Sequence, residues 1–230
     1  MVNLLRRLNR VLLRLKMLTK LKMLTKYYLS LITKRDFVEY HSFPFNTLQK
    51  MPKGSEMIME QCCNILESAN AAYRLTDGTA LGLYREGEFI AHDNDIDVDV
   101  LGDTQLESIT QLLINSGMRL GRKAIYKGKI QQLVFYTENH IIFDIVVWHK
   151  LDDYTILNYS ERGYRRLQDI KFFKKENLGS FNFRGKQYPM PGAIEEWLEM
   201  RYGNDWRVPK TYKGDWKEEC FDMKKIGRVS

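Results

Sequence analysis

Three aspartates stand at every second position in this chain, Asp95, Asp97 and Asp99 of DIDVDV. Successive side chains of a β-strand point to opposite faces, so these three share one face and Ile96, Val98 and Val100 the other. The apolar side reads as core. A row of carboxylates repels itself unless a cation neutralises it. Hard divalent cations with oxygen ligands, Mg²⁺ or Mn²⁺, are the usual answer where phosphate is the substrate. An exposed edge strand that uses charge to discourage aggregation would carry the same pattern. Asp144 favours the cation: it interrupts the apolar run IIFDIVVWH, which predicts a buried strand over 141–148. A lone carboxylate there is costly without a partner or a metal. If that strand lies beside Asp95 and Asp97, three carboxylates converge as ligands for one or two metal ions in phosphoryl transfer. A calcium loop does not fit. Counted from Asp93 or Asp95 its sixth position is Val98 or Val100, and counted from Asp97 its twelfth is Ser108 where Glu is needed.

Gly78 and Thr79 stand upstream of this strand. A glycine there lets the backbone approach phosphate, and the amides that follow can open a helix whose positive end faces it. The flanking sequence predicts the elements that hold both halves. A helix over 55–70 starts at Ser55 as N-cap and places Ile58, Cys62, Ile65, Leu66 and Ala69 on one face. Tyr73 to Thr76 reads as a short strand, and Leu106 to Asn115 as a helix closed by Gly117. Arg119–Tyr126 and Lys129–Thr137 read as a hairpin around Lys127-Gly128. Another hairpin turns at Arg184-Gly185, and a helix runs from Ile194 to Arg201. The reading is an α/β (α+β) domain.

The ordered set Gly78-Thr79, Leu81-Gly82, Arg85, Gly87, Ile90, Asp93 and Asp95-Ile96-Asp97 resembles the signature of the LicD, or fukutin-related, family. Pro191, Trp197-Leu198, Tyr202-Gly203, Asp205-Trp206 and Pro209 look like that family's closing motif, and the resemblance spans roughly residues 55–212. It departs at His92-Asp93-Asn94-Asp95, where Trp-Asp-Asp-Asp is frequent, and at Ala80, where a second Leu is common; neither change removes a D-x-D ligand. The resemblance implies a nucleotidyltransferase-like mixed sheet flanked by helices. It also implies transfer of a phospho-alcohol, such as phosphocholine or phosphoribitol, from a CDP-activated donor to a cell-surface glycan or its lipid-linked precursor. Asp93 becomes a supporting carboxylate beside Gly78 and Thr79 at the donor. True nucleotidyl transfer, and a non-catalytic membrane adaptor that kept the fold, are the alternatives.

Other residues invite roles. The Arg85 fork suits a pyrophosphate. Lys127 and Lys129 fit a charged turn better than a phosphate clamp. Asp99 continues the acidic face, and His92 stands at the strand entrance. Trp197, Tyr202, Trp206 and Trp216 would suit either an aromatic cage for a quaternary ammonium or core packing, and packing is the commoner use.

At 230 residues with 44% apolar content the chain suits one catalytic domain, 35–230, behind an arm, 1–34. Cys62, Cys63 and Cys220 are odd in number and lack C-x-x-C spacing, which argues against a disulfide framework or a zinc knuckle. Of the net charge of +7, residues 1–35 supply ten Lys or Arg and no acid, so the remainder carries about −3. No nucleic-acid motif accompanies the basic residues, and no nucleic-acid partner is expected. Wound as a helix, Leu4, Leu5, Leu8, Val11, Leu12, Leu15 and Leu18 form one apolar stripe with arginines outside it. That profile suits an anionic membrane interface, placing the protein on the cytoplasmic face of the membrane through residues 1–32. The tandem LKMLTK of 15–20 and 21–26 rotates the stripe, so the later turns face the domain or a partner. A helix simply packed on the domain or in a dimer would show the same amphipathicity.

Overall fold

A computed structural model describes residues 37–41, 43, 50–102, 105–161, 164–210 and 222–225. The arm, Trp216 and Cys220 lie outside the described residues.

A parallel pair of strands holds the acidic positions. β3 (Asp95–Leu101) runs beside β6 (Ile142–Lys150), and the register sets Asp97 opposite Asp144. On its other edge β3 takes β2 (Tyr73–Leu75) antiparallel. β6 continues antiparallel to β5 (Lys129–Tyr136), which pairs with β4 (Arg119–Tyr126), and β4 with β1 (Phe37–His41). The end of β6 pairs with β7 (Thr155–Glu161), then β8 (Tyr164–Asp169), then β11 (Met223–Lys225). These nine strands form one mixed sheet, while β9 (Gly179–Phe183) and β10 (Lys186–Met190) make a separate hairpin.

Alternation sorts the two faces of the central strands. Ile96, Val98 and Val100 of β3 and Phe143, Ile145 and Val147 of β6 join one core. Helices α1 (Ser55–Ser68), α2 (Asp77–Glu86) and α3 (Leu106–Asn115) add apolar residues to it, with Met59, Leu66, Leu83 and Ile109 fully buried. Helix α4 (Ile194–Tyr202) contributes Trp197 and Leu198. Val146 and Trp148 point the other way, into a smaller cluster with Ile156, Ile170 and Phe173. Asp144 belongs to that second face by its place in the alternation, and so do Asp95, Asp97 and Asp99.

The sequence reading of the elements holds with small shifts. The first helix ends at Ser68, and its N-cap is Gly54 at φ 87, not Ser55. Ser55 is already helical and turns its hydroxyl onto the Pro52 carbonyl at 2.7 Å. Glycine wins the position because the left-handed conformation costs it least. Lys127 and Gly128 both take positive φ, 46° and 79°, as a tight hairpin turn demands. Cys62 and Cys63 are buried helix residues with free thiols.

Candidate active site

The Gly-Thr turn and the acidic strand are stapled together. The Thr76 N–H donates to the Asp97 carbonyl at 3.1 Å, and the Asp97 N–H donates to Thr79 Oγ1 at 2.9 Å. Thr79 thus acts through its hydroxyl on the strand backbone. Gly78 is required for a different reason: a Cβ there would stand 2.1 Å from Asp93 Oδ2. The missing side chain makes room for a carboxylate.

Carboxylate oxygens of Asp93, Asp95 and Asp97 lie within 4.8 Å of one another. The group adds Asp93 to the expected Asp95 and Asp97. Asp93, not Asp144, closes the tightest group, because Gly78 admits its side chain. Asp144 sits one strand away beside Asp97. Gln132 Nε2 donates to Asp144 Oδ2, while Oδ1 is buried without a hydrogen-bond partner.

Electrostatics mark the group as strained without a cation. Burial, and then repulsion from Asp93, raises the Asp95 carboxyl well above its ordinary range. Burial and then Asp95 do the same to Asp97. Asp144 is pushed up to about 8 by burial and then by Asp95, against the pull of Arg122 and Gln132. These donors fit a hard divalent cation: all are carboxylate oxygens, and one buried oxygen is left without a partner.

Beside this group lies a charge-balanced cluster that the sequence reading did not find. Asp77, at φ 43 before Gly78, accepts from both terminal nitrogens of Arg166 (3.1 and 3.0 Å) and from Arg201 Nε (2.8 Å). Asp222 receives the other sides of both arginines, at 3.1 and 2.7 Å. Gln168 donates to Asp222 and accepts from Arg74, and Arg74 holds Asp99 at 2.7 Å. Burial opposes ionisation of Asp77 and Asp222, but Arg166 and Arg201 outweigh it and keep both carboxyls below the usual carboxylate range. Asp77 adjoins the Gly78-Thr79 turn, and Arg201 lies in the last turn of helix α4. Arg166 and Asp222 had no local signal.

The remaining candidate residues are placed as follows. Arg85 donates to Glu86 at 2.5 Å and to the Trp206 carbonyl at 3.1 Å, tying helix α2 to the closing motif. Asp99 is neutralised by Arg74 and stands apart from the cation group. Trp197 is fully buried with its indole N–H on Gln168, so it packs the core and lines no cage. Trp206 is buried too, its ring covered by Arg207 at 4.1 Å. His92 is exposed, and Lys127 lies over the Tyr126 ring at the hairpin.

A family model described as LicD/FKTN/FKRP, nucleotidyltransferase domain, matches residues 70–193, more than half of the 230. The chain is 24% identical over 178 residues to the ribitol-5-phosphate transferase FKTN of Macaca fascicularis, covering 75% of this chain and 37% of that protein. Against the Homo sapiens protein of the same name identity is 23% over 169 residues, with coverage of 72% and 35%. The chain thus spans a little over a third of the length of these curated relatives. Among solved structures it is similar to the lincosamide antibiotic adenylyltransferase LnuA with lincomycin bound. Identity there is 16%, the TM-score 0.44, and coverage 65% of this chain and 85% of that one. It is also similar to the antibiotic-resistance factor ANT(2'')-Ia in solution, at 12% identity, TM-score 0.41 and coverage of 63% and 69%. Neither likeness is close enough to bear on the site.

Proposed function

We propose, for a chain that belongs to the LicD/FKTN/FKRP nucleotidyltransferase family, the transfer of a phospho-alcohol from a CDP-activated donor to a glycan hydroxyl. The relatives' name, ribitol-5-phosphate transferase, supports a phosphotransferase of this class. The observation that carries the reading is the convergence of Asp93, Asp95 and Asp97 beside Asp144 on one face of the sheet.

Asp95 and Asp97 would hold Mg²⁺ or Mn²⁺, with Asp93 and Asp144 completing the set. Such an ion, when bound, neutralises the donor phosphates and draws charge from the leaving group. The chain's own residues do the rest. Gly78 and the amides opening α2 receive the diphosphate. The acceptor oxygen attacks the phosphorus bearing the alcohol, the bond from that phosphorus to the bridging oxygen breaks, and CMP leaves. Asp144 takes the hydroxyl proton. Residues 1–32 would hold the protein peripherally on the cytoplasmic face of an anionic membrane, near lipid-linked glycans such as precursors of lipopolysaccharide or capsule. Among the described residues no helix is long and apolar enough to cross a membrane.

The nucleotide product tests the reaction. Incubation with a CDP-linked alcohol and a glycan acceptor should release CMP. Pyrophosphate released from a nucleoside triphosphate, with the nucleotide joined to the acceptor, would mean true nucleotidyl transfer.

A further inference from the structure

The transfer chemistry leaves unused the buried cluster behind Asp77. Its far anchor, Asp222, lies outside residues 70–193 and outside every motif in the sequence. We infer that Asp222 and Arg201 are positioning residues: they fix Asp77, and through it the Gly78–Thr79 turn and the Asp97 backbone.

The chain of contacts is continuous. The Asp222 side chain is 1% exposed and lies between Arg166 and Arg201, which are 2% and 3% exposed. Each arginine bridges Asp222 to Asp77. Asp77, at 18% exposure, is where this cluster reaches the surface. It begins helix α2 in a left-handed conformation, φ 43, which an aspartate tolerates better than most residues and which its two arginine partners hold. The next residue admits Asp93, and the one after that holds the Asp97 N–H.

Charge explains why Asp222 cannot be spared. Asp77, Asp99 and Asp222 balance Arg74, Arg166 and Arg201 within a poorly hydrated space. Without the Asp222 carboxylate, Arg166 and Arg201 each lose one of the two carboxylates they bridge, and Asp77 must hold both. The forks then settle elsewhere and Asp77 loses its bidentate hold. The displacement reaches the turn although Asp222 touches no part of it.

Amide hydrogen exchange of the full chain tests this without any ligand. In Asp222→Asn, exchange at the Thr76 and Asp97 amides should accelerate by about tenfold, while helix α3 and the β4–β5 hairpin keep their protection. Asp222→Glu, which keeps the charge, should recover much of it. Arg201→Lys keeps a cation but loses the fork, and should loosen the same two amides. Unchanged protection at Thr76 and Asp97 in a folded Asp222→Asn overturns the inference. So does equal acceleration throughout the chain, or failure of both Asp222→Asn and Arg201→Lys to fold, since the cluster is then only core. The catalytic consequence rests on the transfer reading above: turnover in Asp222→Asn should fall by about 10- to 100-fold with cation affinity little changed. Loss of protection without a transferase activity in the wild type would sink that reading alone.

Discussion

Thr79 Oγ1 accepts the backbone N–H of Asp97 at 2.9 Å, across eighteen residues of sequence. The bond joins helix α2 to the strand that carries the carboxylates, so neither can drift without the other. Thr79→Val keeps the shape and leaves the Asp97 N–H buried and unpaired. That should cost about 1–3 kcal/mol of stability and weaken cation binding with it. Unfolding in denaturant and Mn²⁺ titration measure the two. A variant as stable as the parent with unchanged affinity would remove the staple from the account.

Stability should depend on pH in opposite senses for the two groups of carboxylates. Asp95, Asp97 and Asp144 release protons less readily in the folded than in the unfolded chain, Asp144 up to about 8. Their contribution is present below the unfolded value of about 4 and is lost as pH rises toward 8. Asp77 and Asp222 are held below the ordinary range, so theirs is present above pH of about 4 and is lost as pH falls below it. In chelator the melting temperature should therefore fall between about pH 5 and pH 8. Mg²⁺ should remove most of that decline. A flat profile in chelator would contradict the strain assigned to the acidic group.

The fit of Asp93 against Gly78 gives a double-substitution test. Gly78→Ala puts a methyl group where Asp93 Oδ2 lies and should push that carboxylate out of the group. Cation affinity should fall by about tenfold, equal to ~1.4 kcal/mol. With Asp93→Ala already present, Gly78→Ala should add little, because the two effects share one contact. Full additivity, read by the same Mn²⁺ titration, would mean that Gly78 affects the cation by a route other than Asp93.

Much of this was legible from the residues. The acidic face, the Asp144 strand, both hairpins and the helix over Leu106–Asn115 follow from periodicity and turn chemistry, which are local. The buried cluster was not legible, because Arg166, Arg201 and Asp222 meet Asp77 only after the chain has crossed the sheet. The bond from Arg85 to the Trp206 carbonyl was not legible either, because its partner lies 121 residues away. Asp93 was read as a supporting group because nothing local shows that Gly78 clears its path.

The basic arm supplies a separate test. Each Lys or Arg near an anionic surface contributes on the order of 1 kcal/mol, within a Debye length of about 8–10 Å. The chain should sediment with anionic liposomes at low salt and release in part at high salt. A form beginning at Thr33 should stay in the supernatant and still turn over a soluble acceptor. Equal sedimentation of both forms, or unfolding of the shorter one, would make the arm a packing element.

On the proposed function, the acidic face binds the cation used in phosphoryl transfer. The most direct measurement is CMP release from a CDP-linked alcohol onto a soluble glycan acceptor. It compares Mg²⁺ with excess chelator, in the parent chain and in Asp97→Asn. Release should depend on Mg²⁺ and stop in chelator. In a folded Asp97→Asn it should fall by about a thousandfold, ~4 kcal/mol of transition-state stabilisation. Full turnover in chelator, or an Asp97→Asn as active as the parent, would contradict it.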